Sequence, residues 1–186
     1  MSATDASAVT SASVGSSVAK HSSPDSSGDD SRGGEQAGAA LRVDFYVLEA
    51  AAPAARLRLA CRLAEKAYLG AQTTLIWHTD PQELGRLDEL LWTFMDGSFV
   101  PHDLLTGRDA PCTAGTAVLL SAGAAPARTV DLLINLATDI PPCLARCHRI
   151  AEIVDGDAAR RSAGRVRFKA YRELGVQPVT HSIRPE

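Results

Sequence analysis

Residues 43–48, Val-Asp-Phe-Tyr-Val-Leu, form a short β-rich apolar run. Five residues later Pro53 opens a segment of helical periodicity. A buried strand leading straight into a helix restricts the chain to folds that cover both faces of a sheet. The same alternation continues. Pro53 stands where its missing N–H costs nothing, Leu57, Ala60, Cys61, Ala64 and Tyr68 recur at helical spacing, and Gly70 ends the helix. Residues 73–77 read as a second strand. Asp80 and Pro81 are an N-cap and first-turn pair for a second helix, whose apolar face is Leu84, Leu87, Leu91 and Phe94. Residues 98–102, Ser-Phe-Val-Pro-His, read as a turn, followed by a polar loop through Gly115. Strands are expected at 117–120, 132–136, 150–154 and 177–181. Pro141 and Pro142 open a short helix, and residues 158–174 form the last long helix, ended by Gly175. The pattern predicts one α/β domain over 41–184, a three-layer Rossmann-like arrangement with a mainly parallel sheet.

Residues 1–40 differ in chemistry. They are mostly Ser, Ala, Gly and Asp with no aromatic residue, too few apolar groups to offset ordering entropy, and read as a disordered N-terminal extension. Their acids (Asp5, Asp25, Asp29, Asp30, Glu35) against Lys20 and Arg32 account for the protein's whole formal charge of −3. The remaining body is neutral, so only the placement of its charges can point to a partner. No apolar run approaches the ~18 residues of a membrane span, and the N-terminus lacks the apolar core of a secretory signal. A cytoplasmic protein without membrane contact is the expectation. The cysteines are Cys61, Cys112, Cys143 and Cys147. Cys143, Cys147 and His148 lie close together, but no second pair completes a tetrahedral zinc set. Buried thiols on a helix are expected, and no metal or cofactor.

The turn after the first strand, residues 49–53, has no glycine, so its backbone cannot approach a pyrophosphate in the usual way. No P-loop and no GxSxG elbow occurs. His102, in a turn after Pro101, is explained by structure as readily as by catalysis. His78 precedes Asp80 after a strand and is a candidate for acid–base chemistry; a loop histidine beside a helix cap is the favoured explanation. An enzyme acting there on a nucleotide or nucleic acid is the alternative reading.

The last helix carries a stronger signal. On a helical wheel Ala159, Ala163, Val166, Ala170 and Leu174 span a sector of roughly 80°, read as the face toward the sheet. Arg161, Arg165, Phe168, Lys169 and Arg172 span roughly 100° on the other side. Six bases and no acid lie between Ala158 and Arg172. Solvated faces usually mix signs. An aromatic ring among cations suits a ligand both apolar and anionic. Single-stranded nucleic acid and an acidic peptide with a hydrophobic end both fit. A neutral body with one candidate ring favours the peptide.

Four segments occur together in an order that resembles one family. They are residues 43–48, Arg86-Leu-Asp-Glu-Leu-Leu-Trp92, Ser98-Phe-Val-Pro-His102-Asp-Leu and Arg167-Phe-Lys-Ala-Tyr-Arg172. Over about residues 42–183 the chain resembles the chi subunit of bacterial DNA polymerase III holoenzyme. The resemblance implies a Rossmann-like fold without nucleotide chemistry and a non-catalytic accessory role in the clamp-loader complex. It implies binding of the acidic C-terminal tail of single-stranded-DNA-binding protein, which ends in a phenylalanine carboxylate, with DNA reached only indirectly. It maps that site to Arg161, Arg165, Phe168, Lys169, Arg172 and Thr180. Phe168 replaces a frequent tyrosine, and the stretch before Arg161 is shorter than in the family. A second surface for the psi subunit, or a competing helicase, maps to Trp92, Phe99 and Pro101. Core packing explains Trp92 and Phe99 equally well.

Overall fold

The computed structural model describes residues 40–105 and 116–184. The expected extension, Cys112 and most of the polar loop before Gly115 lie outside them. The elements in order are β1 (Arg42–Leu48), α1 (Pro53–Leu69), β2 (Thr74–Trp77), α2 (Pro81–Thr93), β3 (His102–Leu105), β4 (Val118–Ser121) and β5 (Val130–Asn135). A 3-10 turn (Leu144–Arg146), β6 (Cys147–Val154), α3 (Ala158–Glu173) and β7 (Val179–Ile183) follow. The strands form one sheet in the order β3-β4-β2-β5-β6-β1-β7, and every neighbouring pair is parallel.

The sheet separates two apolar cores, as three layers require. On one face α1 and α2 place Leu57, Ala60, Ala64, Leu84, Leu87 and Leu91 against Ile76, Leu120 and Ile134. On the other, Tyr171 and Phe168 of α3 pack with Val43, Phe45, Leu75, Leu133 and Ile150. Central strands covered on both sides need no polar alternation, which explains the near-continuous apolar runs. Asp80 caps α2 by accepting from the Gln82 amide at 2.8 Å. Beyond Gly70 it is Ala71 that takes the left-handed conformation, at φ 54°.

Five expectations need correction. The segment from His102 pairs with β4 as an edge strand. Its half-buried, four-residue sequence His-Asp-Leu-Leu is too short and polar to show a period of two. Pro141 and Pro142 lead only to a single 3-10 turn, and β6 starts at Cys147 rather than Ile150. Cys143 and Cys147 are buried but not helical. Cys147 Sγ donates to the Leu144 carbonyl at 3.3 Å, and burial pushes its thiol up to about 12.

The largest correction concerns α3. Its buried residues are Gly164, Arg167 and Tyr171. Val166 and Leu174, read as core, are 68% and 61% exposed. The sheet-facing side is therefore turned by roughly a quarter of the wheel. The cause is a carboxylate inside the sheet. Glu152, in the middle of β6, is fully buried and draws Arg167 and Tyr171 inward.

Candidate functional site

Alternation along β1 sends Phe45 and Val47 toward α3 and Asp44, Tyr46 and Leu48 toward the other face. The buried Asp44 ties three strands together. It accepts from Arg149 Nε of β6 at 2.7 Å, pairs with His181 Nε2 of β7 at 3.0 Å and with Arg42 Nε at 2.9 Å. Burial pushes this carboxyl up. The bonds from His181, Arg42 and Arg149 outweigh that and hold it below the ordinary range. Tyr46 stacks on His181 at 5.1 Å. Edge strand β7 is thereby fixed, with Thr180 beside Phe45 in the register.

Above this platform α3 is anchored by the Glu152 cluster. Arg167 Nε and Nη2 donate to Glu152 Oε2 at 2.9 and 2.8 Å, and Nη1 donates to the Thr138 carbonyl at 2.6 Å. Tyr171 Oη donates to Glu152 Oε1 at 2.7 Å, and Asn135 Nδ2 to the same oxygen at 3.0 Å. Burial, with Glu152 adjacent, drives the Tyr171 hydroxyl far above its usual range. At the helix start Asp157 caps by accepting from the Arg160 amide at 2.9 Å. Arg160 forks onto Asp155 at 2.6 and 2.8 Å. One turn on, Gly164 lets the helix close on Val154, where an added Cβ would lie 3.0 Å from Cγ2.

These anchors leave a cavity of about 310 Å³ between α3 and the strand edge, lined by Phe45, Val47, Val154, Arg161, Gly164, Arg165, Phe168 and Thr180. Four of the sequence-derived site residues, Arg161, Arg165, Phe168 and Thr180, thus meet at one concavity. Phe168 is half-buried and meets Phe45 edge-on at 5.3 Å, so it belongs to core and pocket wall together. Arg161 Nη2 donates to the Glu49 carbonyl at 3.0 Å, while its buried Nε has no hydrogen-bond partner. Arg165 makes no ion pair among the described residues. The floor residues Phe45, Val47, Val154 and Gly164 escaped sequence reasoning. The i, i+2 spacing of Phe45 and Val47 and the lone glycine within a helix were the available signals.

Lys169 and Arg172 do not line the cavity. Lys169 lies 3.6 Å from Glu173, both well exposed, and Arg172 is exposed. Nor is the helix uniformly uncompensated, since Arg160 and Arg167 are paired with Asp155 and Glu152. The cationic character that remains is concentrated in Arg161, Arg165 and Arg172.

A separate apolar patch lies at the end of α2. Trp92 and Phe99 are 51% and 61% exposed, with ring centroids 5.2 Å apart. Half-buried Pro101 is next to His102, whose ring lies 4.8 Å from Trp92 and whose Nδ1 bonds the Val100 carbonyl at 2.7 Å. These side chains are surface, not core. At the other candidate, His78 Nδ1 accepts from the Asp80 amide at 2.9 Å, while the Asp80 carboxylate is engaged as helix cap. Burial and nearby Arg56 lower the affinity of His78 for a proton. The two side chains form a turn rather than an acid–base pair.

Residues 41–179 match the family model described as DNA polymerase III chi subunit, HolC. A DNA polymerase III subunit chi from Pseudomonas aeruginosa is 39% identical over 142 residues, covering 76% of this chain and 96% of that protein. Its namesake from Escherichia coli is 29% identical over 118 residues, covering 63% and 79% respectively. Among solved structures, T4 UvsW aligns with a TM-score of 0.57 at 10% identity, over 77% of this chain and 42% of that one. The C-terminal domain of the DEAD-box protein Dbp5 aligns with a TM-score of 0.51 at 14% identity, over 74% and 90%. Those two likenesses concern the fold alone. The extent of the family match and the identity to the Pseudomonas protein place the chain in the DNA polymerase III chi subunit family.

Proposed function

We propose that this protein is a non-catalytic accessory subunit of the bacterial replicative polymerase's clamp-loader complex, and that its α3 pocket captures the acidic C-terminal tail of single-stranded-DNA-binding protein. The observation that carries the reading is the pocket itself. An aromatic wall at Phe168 and an apolar floor sit beneath Arg161 and Arg165. A terminal phenylalanine supplies both halves of that complement, its ring for the floor and its carboxylate for a guanidinium. Arg172 and Lys169, outside the cavity, act as outlying charges for the acidic part of the tail. Thr180 contributes from the opposite wall. DNA is reached through the tail, in the cytoplasm, with no membrane involved.

Direct binding of single strands has less support. Phe168 is half-buried against Phe45, so it offers no open stacking platform. The exposed Trp92 and Phe99 pair, with Pro101, is the surface for a second protein, psi or a competing helicase. Aromatic anchors of this kind dominate interfaces.

The test is titration of a peptide ending in Asp-Asp-Ile-Pro-Phe. Micromolar binding, roughly −8 kcal/mol, is expected, weakened by Arg165→Ala strongly and by Lys169→Ala less. Unchanged affinity in both variants would remove the site assignment.

A further inference from the structure

β7 is an edge strand without the usual protection. Among the described residues it has a neighbour on one side only, β1. Edge strands commonly carry a charge, a proline or a bulge that stops a second chain from adding to the sheet. The sequence of β7, Val-Thr-His-Ser-Ile, contains no Asp, Glu, Lys, Arg or Pro. Its register with β1 runs from Val179 to Ile183 without a break, so it has no bulge. β3, at the opposite edge, is shorter and carries Asp103. α3 packs over β6 and β1, through Gly164 on Val154 and Phe168 on Phe45, and β7 lies outboard of it.

The strand is also chemically symmetric about His181. Reversed, it reads Ile-Ser-His-Thr-Val, which keeps a branched aliphatic at each end, a hydroxyl at each next position and the histidine at the centre. An antiparallel pair of such strands about a two-fold axis at His181 sets Val179 opposite Ile183 of the partner subunit. It sets Thr180 opposite Ser182 of the partner subunit. Val179, His181 and Ile183 share the α1 side of the sheet with Tyr46 and Leu48, and Thr180 and Ser182 share the α3 side with Phe45 and Val47. Aliphatic therefore meets aliphatic on one face and hydroxyl meets hydroxyl on the other, both favourable cross-strand pairs. Val179, 48% exposed, gains cover. Each His181 stays paired with its own Asp44 at 3.0 Å. Arg184 falls opposite Pro178 of the partner subunit, so no like charges face each other.

We infer that β7 is an interface between two copies of this chain, which pair antiparallel through it into one continuous sheet. Self-complementarity selects a second copy over an unrelated strand, because a two-fold contact requires each residue to meet its counterpart across the axis. The inference does not depend on the tail-binding reading. It does bring Ser182 of the partner subunit beside Thr180, a wall of the α3 cavity. Pairing through one strand buries less than the ~1,200 Å² of a standard interface. The dimer is therefore weak, with a dissociation constant on the order of 100 μM.

Sedimentation equilibrium of the full chain tests it, from about 10 μM to about 1 mM, since mass action must raise the average mass towards that of a dimer. Val179→Lys places a lysine on the edge and should weaken association at least about tenfold, with urea unfolding confirming that the variant is folded. Cross-linking gives the register without relying on that variant. A mixture of Thr180→Cys and Ser182→Cys proteins, mildly oxidised, should yield a disulfide between the two introduced thiols, and far less should form in either protein alone. A chain that stays monomeric at the highest concentration overturns the inference. So does a dimer indifferent to Val179→Lys, or one cross-linked only through other cysteines. If the chain stays monomeric and the tail peptide protects the β7 amides from hydrogen exchange, the edge belongs to that peptide and not to a second copy.

Discussion

Replacing Arg167 with methionine isolates the interaction that sets the orientation of α3. The guanidinium and its carboxylate are only 4% and 0% exposed. Arg167→Met removes three hydrogen bonds, two to Glu152 and one to the Thr138 carbonyl. Glu152 then keeps Tyr171 and Asn135 as donors but has lost its cation. Breaking a buried pair from one side costs about 3–5 kcal/mol, against about 0–1 for a surface pair. Domains of this size are stable by only about 5–15 kcal/mol, so the melting temperature should fall by about 10–20 °C. Urea unfolding followed by fluorescence reports on this core, because Trp77 is buried in it. The Arg167→Met/Glu152→Gln double variant should be less destabilised than the single one, since no buried charge remains and the amide oxygen still accepts from Tyr171. A loss below about 1 kcal/mol for the single variant, or simple additivity in the double, would refute the claim that this pair anchors the helix.

Gly156→Ala should cost about 3 kcal/mol or more, measured by the same unfolding, because the new Cβ would lie 2.5 Å from the backbone of Ala50 and Ala51. Burial raises the Asp155 carboxyl, but bonds from Arg160 and the Asp157 amide bring it below the ordinary range. Its stabilisation is therefore complete above about pH 5 and fades as pH falls below about 4. Asp155→Asn should cost about 1–3 kcal/mol at pH 7 and distinctly less at pH 3 in parallel denaturant titrations. Trp92→Ala and Phe99→Ala should each change stability by about 1 kcal/mol or less, since both rings are over half exposed; a larger loss in either would return that ring to the core. Phe168→Ala should weaken the tail peptide at least tenfold in calorimetry and also lower stability, through the lost contact with Phe45.

The sheet and its first two helices were legible because their signals are local. Strands covered on both sides are continuously apolar, and Leu84, Leu87 and Leu91 repeat at helical spacing with Asp80 as cap. β3 was not legible, since an edge strand of His-Asp-Leu-Leu gains its pairing only from β4. The periodicity of α3 was read with the wrong residues inside. Hydrophobic patterning assigns arginine and tyrosine to water, and nothing near them in sequence reveals that Glu152, fifteen residues before Arg167, waits inside the sheet. The exposed Val166 and Leu174 completed the misreading. Phe168 and Arg165 still line one cavity because they lie to the same side of the true core stripe, so a rotation of the inner face leaves them at the strand edge. Lys169 lies further around, and Arg172, at an angle between Phe168 and Arg165, stands a turn further along the axis; neither lines the cavity.

The position of the pocket follows from what closes the usual one. In parallel α/β sheets the ligand crevice opens at strand carboxyl ends, between neighbours whose following helices leave to opposite faces. β1 and β6 are such neighbours, with α1 on one face and α3 on the other. Here the gap between their ends is occupied by backbone. The Gly156 amide donates to the Ala50 carbonyl at 2.8 Å, and not even a methyl group fits between them. Asp155 and Arg160 neutralise each other beside it. With the carboxyl ends sealed, concave apolar surface persists along the flank of α3. There the sheet ends at β7, and among the described residues no further strand or helix covers Phe168. Closure of the crevice between β1 and β6 thus leaves the α3 cavity at a sheet edge, where the proposed tail peptide would lie along the helix.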